Sequence, residues 1–457
     1  MRDYTNKPDL PTYHLIIPHA QARDYRVLLV RDENGYWMLP HFRSAYDNFA
    51  MVRHINDWVW QQYGLYVVTL RCLDAYHEVE TGEHRFYVMD NLHPEWQASE
   101  DMGWYREDEV KVETLLDPLQ KEMILRWFDW RHSESSLRVQ WMRRGWFSDA
   151  GYWMVDLADR MAMGGIQTVE QEEVWSRSCT MRLATDDGLL YMKAVPEILN
   201  YEPVVTRVLS LRYPGFVPDV RAVHVENGWM LTRDFGGQAL SHFDDLEIWK
   251  RALRNYADIQ VDLIGSTQSL VALGVPDRNV DYLASQIDRL MVHLPDDLSE
   301  QERRDLRRIS PDLKLMCFDL TEHKIPLSLT HGDLWSGNVR VHEDGSNLFY
   351  DWSDASVSHP FFDLPLFLAE IDAIMPQQPD AKAQLLDVYF SAWTRYAPKS
   401  TLRQVYAIAE VLAYLHQALF YHTHILPHIE ADARWEMETM LSPLLRQVLA
   451  SARVYRL

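Results

Sequence analysis

Residues 329–365 read LTHGDLWSGNVRVHEDGSNLFYDWSDASVSHPFFDLP. Two short β-favouring runs, 339–341 and 348–350, flank His-Glu-Asp-Gly-Ser-Asn, a segment rich in turn formers. The spacing predicts a hairpin in which Val341 pairs with Leu348 and Val339 with Tyr350. Asn338 and Asp351 then fall opposite each other at its open end. Neighbouring strands lie about 4.8 Å apart, so both side chains reach one cation with bonds of about 2.1 Å, the length magnesium prefers. Asp333 precedes the hairpin and sits where it accepts a proton from, or orients, an attacking hydroxyl. A carboxylate, an amide five positions on and a second carboxylate beyond a turn form the layout of a phosphoryl-transfer site.

His331-Gly-Asp333, Asn338, Asp351-Trp352, Ala355, Pro360, Asp363 and Leu364 together resemble the motifs of the aminoglycoside phosphotransferase family. That family is related to choline kinases and more remotely to protein kinases, whose catalytic loop has the same Asp-to-Asn spacing. The string HGDLWSGN is also similar to that of fructosamine kinases, while DWSDASVSHPFFDL is closer to the aminoglycoside type. The resemblance implies an α+β, bilobal kinase-like fold with a small β-rich lobe and a large helical lobe. It implies Asp333 and His331 as catalytic residues, with His331 and Asp363 bracing the loop. Asn338 and Asp351 would hold Mg²⁺, and the donor would be ATP or GTP.

The 457 residues exceed one ordinary core and suggest two or three domains. Hydrophobic residues at 47% and charged residues at 25% are globular values. A net charge of −22 argues against nucleic-acid or anionic-membrane partners, because a phosphate backbone repels such a surface. It leaves a small-molecule acceptor as the expected partner and suits a cationic one. Three widely spaced cysteines form neither a disulfide framework nor a metal-ligand pattern, which fits a cytoplasmic protein. The opening residues carry no signal pattern, and no apolar run is long enough to span a bilayer.

Residues 1–132 form an expected first domain. Strands are expected at 13–18, 25–31, 37–39, 66–73 and 85–90, with helices over 47–63, stopped by Gly64, and 119–130. This order, with WMLP before the first helix and Gly64 after it, resembles a Nudix hydrolase domain. Such enzymes need several glutamates on one helix face to hold the metals that activate water. Here Asp57-Trp58 and Gln61-Gln62 occupy those places, and glutamine lacks the charge that holds a hard cation. The expectation is a degenerate Nudix-like domain, with Asp47 and Asp57 more plausible as a solvated face than as ligands.

A connector, 133–165, carries Trp141, Trp146 and Trp153 and a helical run ending at Gly164-Gly165. The kinase-like domain then occupies 166–457, with 166–235 as small lobe and 236–457 as large lobe. Strands are expected at 166–172, 179–185 and 189–195, and Lys193 lies in the third. With Glu202, or alternatively Glu197, in the following helix it resembles the lysine–glutamate pair that steadies ATP phosphates. The glycine-free loop 173–178 stands at the phosphate-covering position, where Ser176, Arg177 and Ser178 are candidate donors. The strand 229–232 leads to a hinge-like turn in which backbone groups of Arg233 to Phe235 would bond adenine.

Helices are expected at 246–263, 282–293 and 303–324, and again at 364–374, 382–395, 401–424 and 433–454. Asp354, Glu370, Asp372 and Glu410 are candidate acceptor contacts. Asp277-Arg278 reads as a structural turn. His416, His422, His424 and His428 read as core packing with aromatics, since Pro427 interrupts any helical face. Together these features point to ATP-dependent phosphorylation of a small-molecule hydroxyl. A nucleotide-binding pseudokinase and a Nudix-type pyrophosphohydrolase are the rival readings.

Overall fold

A computed structural model describes residues 10–21, 25–46, 48–78, 82–113 and 116–455, apart from the side chains at 438 and 439. The fold class is the expected mixture of helix and strand, with a β-rich amino-terminal part and a largely helical carboxy-terminal part. The chain divides into two compact units: 1–196 with 429–436, and 197–428 with 437–457. Among the described residues no helix is long and apolar enough to cross a membrane.

The first unit begins with β1 (Thr12–Ile16), β2 (Arg26–Arg31), β3 (Trp37–Met38), β4 (His41–Arg43), α1 (Arg53–Tyr63), β5 (Val67–Glu78), β6 (Gly82–Asn91) and β7 (Met102–Arg106). One sheet has the order β4-β1-β6-β5, with β1 and β6 parallel, and a smaller antiparallel sheet has the order β3-β2-β7. There follow α2 (Glu107–Val112), α3 (Pro118–His132), α4 (Trp146–Arg160), β8 (Ile166–Val174), β9 (Cys179–Thr185) and β10 (Gly188–Ala194). The last three strands pair antiparallel in sequence order.

Helix α1 starts at Arg53, later than the expected 47, and Asp47 lies outside the described residues. The delay has a local cause. The Asn48 side chain accepts from the Ala50 amide at 3.0 Å, and the main chain at 50–52 bonds β8 through Val52 N–H to Glu172 O and Val174 N–H to Ala50 O. Apolar spacing continued through a stretch whose backbone bonds were already committed. Gly64 ends α1 in the left-handed region, as expected, with its N–H on Trp60 O.

Strand β8 belongs to the same unit as β5 for a further reason. Buried Gln171 receives the Thr69 amide at 2.8 Å and donates to the Thr69 carbonyl at 2.7 Å, and its oxygen also accepts from Asn56 at 3.1 Å. Two connector tryptophans are interior and Trp153 is half-buried: Trp141 donates its indole N–H to Trp175 O at 2.8 Å, and Trp146 donates to Gln140 at 3.1 Å.

Segment 429–436 completes this unit with carboxylates. Fully buried Arg71 meets Asp432 at 2.9 Å and Glu430 at 3.6 Å, and Glu430 also accepts from the Trp130 indole at 3.1 Å and Arg138 at 3.2 Å. Two guanidiniums and an indole therefore compensate carboxylates that burial would otherwise penalise.

The second unit opens with α5 (Tyr201–Arg212), the antiparallel pair β11 (Val220–His224) and β12 (Trp229–Arg233), then β13 (Gln238–Ala239). Helices α6 (Leu246–Leu263), α7 (Thr267–Ala272), α8 (Val280–Val292) and α9 (Glu300–Glu322) follow. Next come β14 (Ser328–Thr330), β15 (Val339–Val341), β16 (Asn347–Phe349) and β17 (Ser356–Ser358), and then helices α10 (Leu364–Leu368), α11 (Ile371–Ile374), α12 (Ala381–Trp393), α13 (Lys399–Phe420) and α14 (Trp435–Tyr455). The expected 364–374 helix is two short helices, and α13 gives way to a π-helical turn, Tyr421–Ile425, before Pro427. Strands β13, β15 and β16 form one small sheet, and β14 pairs with β17. Around them close the apolar faces of α6, α9 and α13, including Trp249, Leu253, Leu313 and Leu412.

Glu436 supplies a pH test of the first unit. It is 5% exposed, and burial pushes its carboxyl up to about 7 against the opposing Ser176 amide and Arg71. An unfolded glutamate titrates near about 4.3. Its contribution to stability is therefore full below that value and is lost as pH rises toward 7, by about 3 kcal/mol in all. Glu436→Gln should gain stability relative to the wild type by that amount between pH 4.5 and 7.5. Urea unfolding across this range checks it, and a pH-independent difference would exclude it.

Candidate active site

The hairpin forms, but one residue out of the expected register. Val339 pairs with Phe349, Arg340 with Leu348 and Val341 with Asn347. His342 N–H bonds Ser346 O and Gly345 N–H bonds His342 O, leaving a three-residue loop whose Gly345 has φ +79°. Asn347 joins the strand because its buried amide oxygen accepts from Asn255 at 2.7 Å. A single-residue slip exchanges the two faces of a strand. Tyr350, rather than Asp351, therefore lies across from Asn338, with its N–H on Asn338 O at 3.2 Å. Asp351 comes one residue later and adopts φ +65°, a left-handed conformation that aspartate tolerates better than most residues. A turn, not cross-strand pairing, sets its carboxylate.

Asn338 is divided between two tasks. Its Nδ2 donates to Asp333 Oδ2 at 3.0 Å and to Asp333 O at 2.9 Å, which orients its amide oxygen away from Asp333. Asp333 and Asp351 are each half-buried and reachable, and Ser353 donates to Asp351 Oδ1 at 2.8 Å. An amide oxygen and a carboxylate are hard donors, the chemistry Mg²⁺ requires. The donor set fits that ion.

Asp363 anchors the loop that carries Asp333. Its carboxylate is buried and accepts from the Gly332 amide at 2.9 Å, the His331 amide at 3.0 Å, the Tyr256 hydroxyl at 2.5 Å and Gln260 at 3.2 Å. Burial pushes this carboxyl above the usual range, opposed by the Tyr256 hydroxyl and the two amides. Gly332 has φ +80°, and a Cβ there would stand 2.2 Å from Asp354 O, so only glycine fits.

His331 is fully buried, and burial depresses its ring's pKa, which leaves the imidazole neutral. Its Nε2 donates to Tyr350 O at 2.9 Å, tying the loop to the hairpin. A side chain so enclosed suits bracing of the loop better than direct contact with a reacting atom.

The other candidates divide between the units. Lys193 lies half-buried in β10 of the first unit, across from Thr180. Ser176 and Ser178, also in that unit, are buried. The Ser176 amide donates to Glu436 at 2.8 Å, and the Ser178 hydroxyl accepts from the Trp175 indole at 2.8 Å. Glu202 is fully buried in α5 of the second unit. The Arg233 amide is already committed to Asp219 O at 3.1 Å, and the Phe235 ring lies 5.2 Å from that of Tyr350.

Of the acidic acceptor candidates, Asp354 is 1% exposed and belongs to the interior. Asp372 pairs with Lys382 at 2.6 Å on the surface, and Glu370 accepts from the Ser336 hydroxyl. Glu410 is half-buried on α13, its carboxyl raised by burial and 3.4 Å from the Tyr406 hydroxyl. His416 packs on Phe362 and His424 on Phe420, as expected, whereas His422 stacks on His293 and His428 is exposed with its ring on His424 O at 2.7 Å. Sequence reasoning missed Tyr256, Gln260 and Arg278, whose polar groups sit inside helical or turn segments with no local sign of their distant partners.

Residues 205–398, within the second unit, match the model of a family described as the phosphotransferase enzyme family. No curated protein matches the chain. Among solved structures, the choline kinase of Streptococcus pneumoniae is similar over 66% of this chain and 99% of its own, at 11% identity and TM-score 0.47. An ethanolamine kinase of Plasmodium vivax is similar over 78% and 95%, at 11% identity and TM-score 0.46. A macrolide 2′-phosphotransferase of Brachybacterium faecium is similar over 62% and 96%, at 17% identity and TM-score 0.40.

Asp363→Asn tests the anchor. The amide keeps the shape but loses the charge and turns a donor toward donors, so stability should fall by about 3 kcal/mol. Urea denaturation at neutral pH measures this, and a loss below about 1 kcal/mol would show that the carboxylate does not hold the loop.

Proposed function

We propose that this protein phosphorylates a hydroxyl of a small molecule with ATP as donor. The observation that carries this reading is the pair of bonds from Asn338 Nδ2 to Asp333, which fixes the carboxylate while turning the amide oxygen away from it. Asp333 orients the acceptor hydroxyl and takes its proton as the new oxygen–phosphorus bond forms and ADP leaves. Asn338 and Asp351 are assigned to Mg²⁺, which when bound neutralises phosphate charge. His331 and Asp363 keep the loop rigid so that Asp333 meets the hydroxyl already aligned, and positioning of this kind supplies a large part of such catalysis.

Lys193 is assigned to the ATP phosphates, with Glu202 rather than Glu197 as the candidate acid. Glu202 lies within α5, whereas Glu197 lies in the 3₁₀ turn that precedes it. We give the Ser176 amide and the Ser178 oxygen no phosphate contact, since they are engaged by Glu436 and the Trp175 indole within the first unit. For the amino-terminal residues we propose a Nudix-like fold without hydrolase chemistry, supported by Gln61 and Gln62 where glutamates would be needed. A cytoplasmic location goes with this reading, supported by three unpaired cysteines.

The acceptor is identified by assaying phosphate transfer from ATP across amino alcohols, sugars, glycated amines and aminoglycosides. With any acceptor so found, Asp333→Ala should lower turnover by about 10²–10⁴-fold. Full turnover in that variant would overturn the assignment. ATP and Mg²⁺ binding without transfer to any acceptor would favour the pseudokinase reading.

A further inference from the structure

We propose that Arg278 and Tyr201 are positioning residues for the Asp351 carboxylate, acting through two successive carbonyls of the turn that carries it. This inference rests on the kinase reading above. Asp351 is held at φ +65° at the head of the turn 351–355, which Ala355 N–H closes onto Trp352 O at 3.2 Å. Inside the turn the Ser353 hydroxyl donates to Asp351 Oδ1 at 2.8 Å and contacts Asp354 Oδ1 at 3.3 Å. The direction of the Asp351 carboxylate therefore depends on where the 353–354 peptides are fixed.

Two side chains from distant parts of the second unit fix them. The Tyr201 hydroxyl donates to Ser353 O at 2.5 Å, and the Arg278 guanidinium donates through Nη2 to Asp354 O. Arg278 is 3% exposed and is itself anchored at both ends. Its amide donates to Val357 O at 3.0 Å, its carbonyl accepts from the Ser358 hydroxyl at 2.7 Å, and its guanidinium lies 4.1 Å over the Phe420 ring. A charged donor makes a stronger bond to a carbonyl than a neutral one.

The held carbonyl is a shared point. Asp354 O is the atom that a Cβ on Gly332 would strike at 2.2 Å, so the loop bearing Asp333 rests on the same peptide that Arg278 secures. Tyr201 opens α5, one residue before Glu202. Displacing this peptide would therefore tilt the Asp351 turn and loosen the seat of the Asp333 loop together. Groups that orient a metal ligand from behind typically change metal affinity by about 10–100-fold when removed.

The test measures Mn²⁺ affinity by electron paramagnetic resonance in the presence of ADP, alongside the Mg²⁺ dependence of phosphate transfer and the melting temperature. The proteins are wild type, Asp351→Asn, Tyr201→Phe, Arg278→Met and Arg278→Lys. Tyr201→Phe and Arg278→Met should each weaken Mn²⁺ binding by about 10-fold and raise the Mg²⁺ needed for half-maximal rate, with the acceptor KM unchanged. Arg278→Lys, which keeps a charged donor, should recover most of the affinity lost in Arg278→Met.

A purely structural role would lower the melting temperature while leaving Mn²⁺ affinity at the wild-type value, and that result would overturn the proposal. If Arg278→Met does not fold, Tyr201→Phe decides, because it removes one hydroxyl only. Wild-type protein that binds Mn²⁺ no better than Asp351→Asn would overturn the kinase reading itself, and the proposal with it. Strong wild-type binding that is lost in Asp351→Asn but kept in Tyr201→Phe and Arg278→Met would overturn the proposal alone.

Discussion

The Asp363 carboxylate is the constraint on which the second unit's chemistry depends. A buried carboxylate is expensive to desolvate, and this one is sustained by donors that are themselves fixed in the fold: two loop amides, a tyrosine hydroxyl and a glutamine amide. The exchange runs both ways. The Gly332 amide, in a loop outside any regular element, has this carboxylate as its acceptor, and the His331 amide is shared between the carboxylate and the Tyr256 hydroxyl at 3.0 Å. Tyr256 and Gln260 stand one helical turn apart on α6, so a helix that packs its apolar face in the core also orients the loop.

From that anchor the reactive groups follow by short steps. Gly332 turns through a left-handed conformation that brings Asp333 out to a reachable position. Asn338 then fixes Asp333 through its amide nitrogen, which turns its amide oxygen away from that residue. His331 joins the loop to the end of the hairpin through Tyr350 O. The Asn338 bond to Asp333 O and the His331 bond to Tyr350 O each couple side chain to backbone, and the second Asn338 bond adds the Asp333 carboxylate to the network. The Asp354 carbonyl, touched by Gly332 on one side and Arg278 on the other, makes the two carboxylate-bearing segments mechanically one piece.

What could be read in the sequence was what local chemistry dictates. Turn formers at 342–347 announced the hairpin, Gly64 announced the end of α1, and the long amphipathic helices announced themselves by spacing. The register was not legible, because Asn347 reads as a turn residue until Asn255, distant in sequence, supplies the partner that draws it into β16. The same limit applies to the loop at 173–178. Its serines look like phosphate donors in isolation, but the group that takes the Ser176 amide, Glu436, lies 260 residues further on. Arg278 read as part of a plain turn for want of its acceptor, which arrives 76 residues later. Local preference wins where no distant partner competes for the backbone.

Segment 429–436 bears on how the amino-terminal chemistry can be judged. Arg71 sits in β5 with no solvent exposure, and its ion pairs run to Asp432 and Glu430. A fragment ending near residue 135 or 196 would keep the guanidinium and lose both carboxylates. Breaking a buried pair from one side typically costs about 3–5 kcal/mol, a large part of the stability of an ordinary domain. The same fragment would lose the acceptor of the Ser176 amide or the whole of β8, whose Gln171 closes the backbone of β5 at Thr69. An inactive fragment would then report an unravelled sheet rather than an absent hydrolase. Hydrolytic chemistry in the first unit is therefore properly tested in the full chain with Asp333 replaced, where these pairs remain intact and phosphate transfer has been removed from the background.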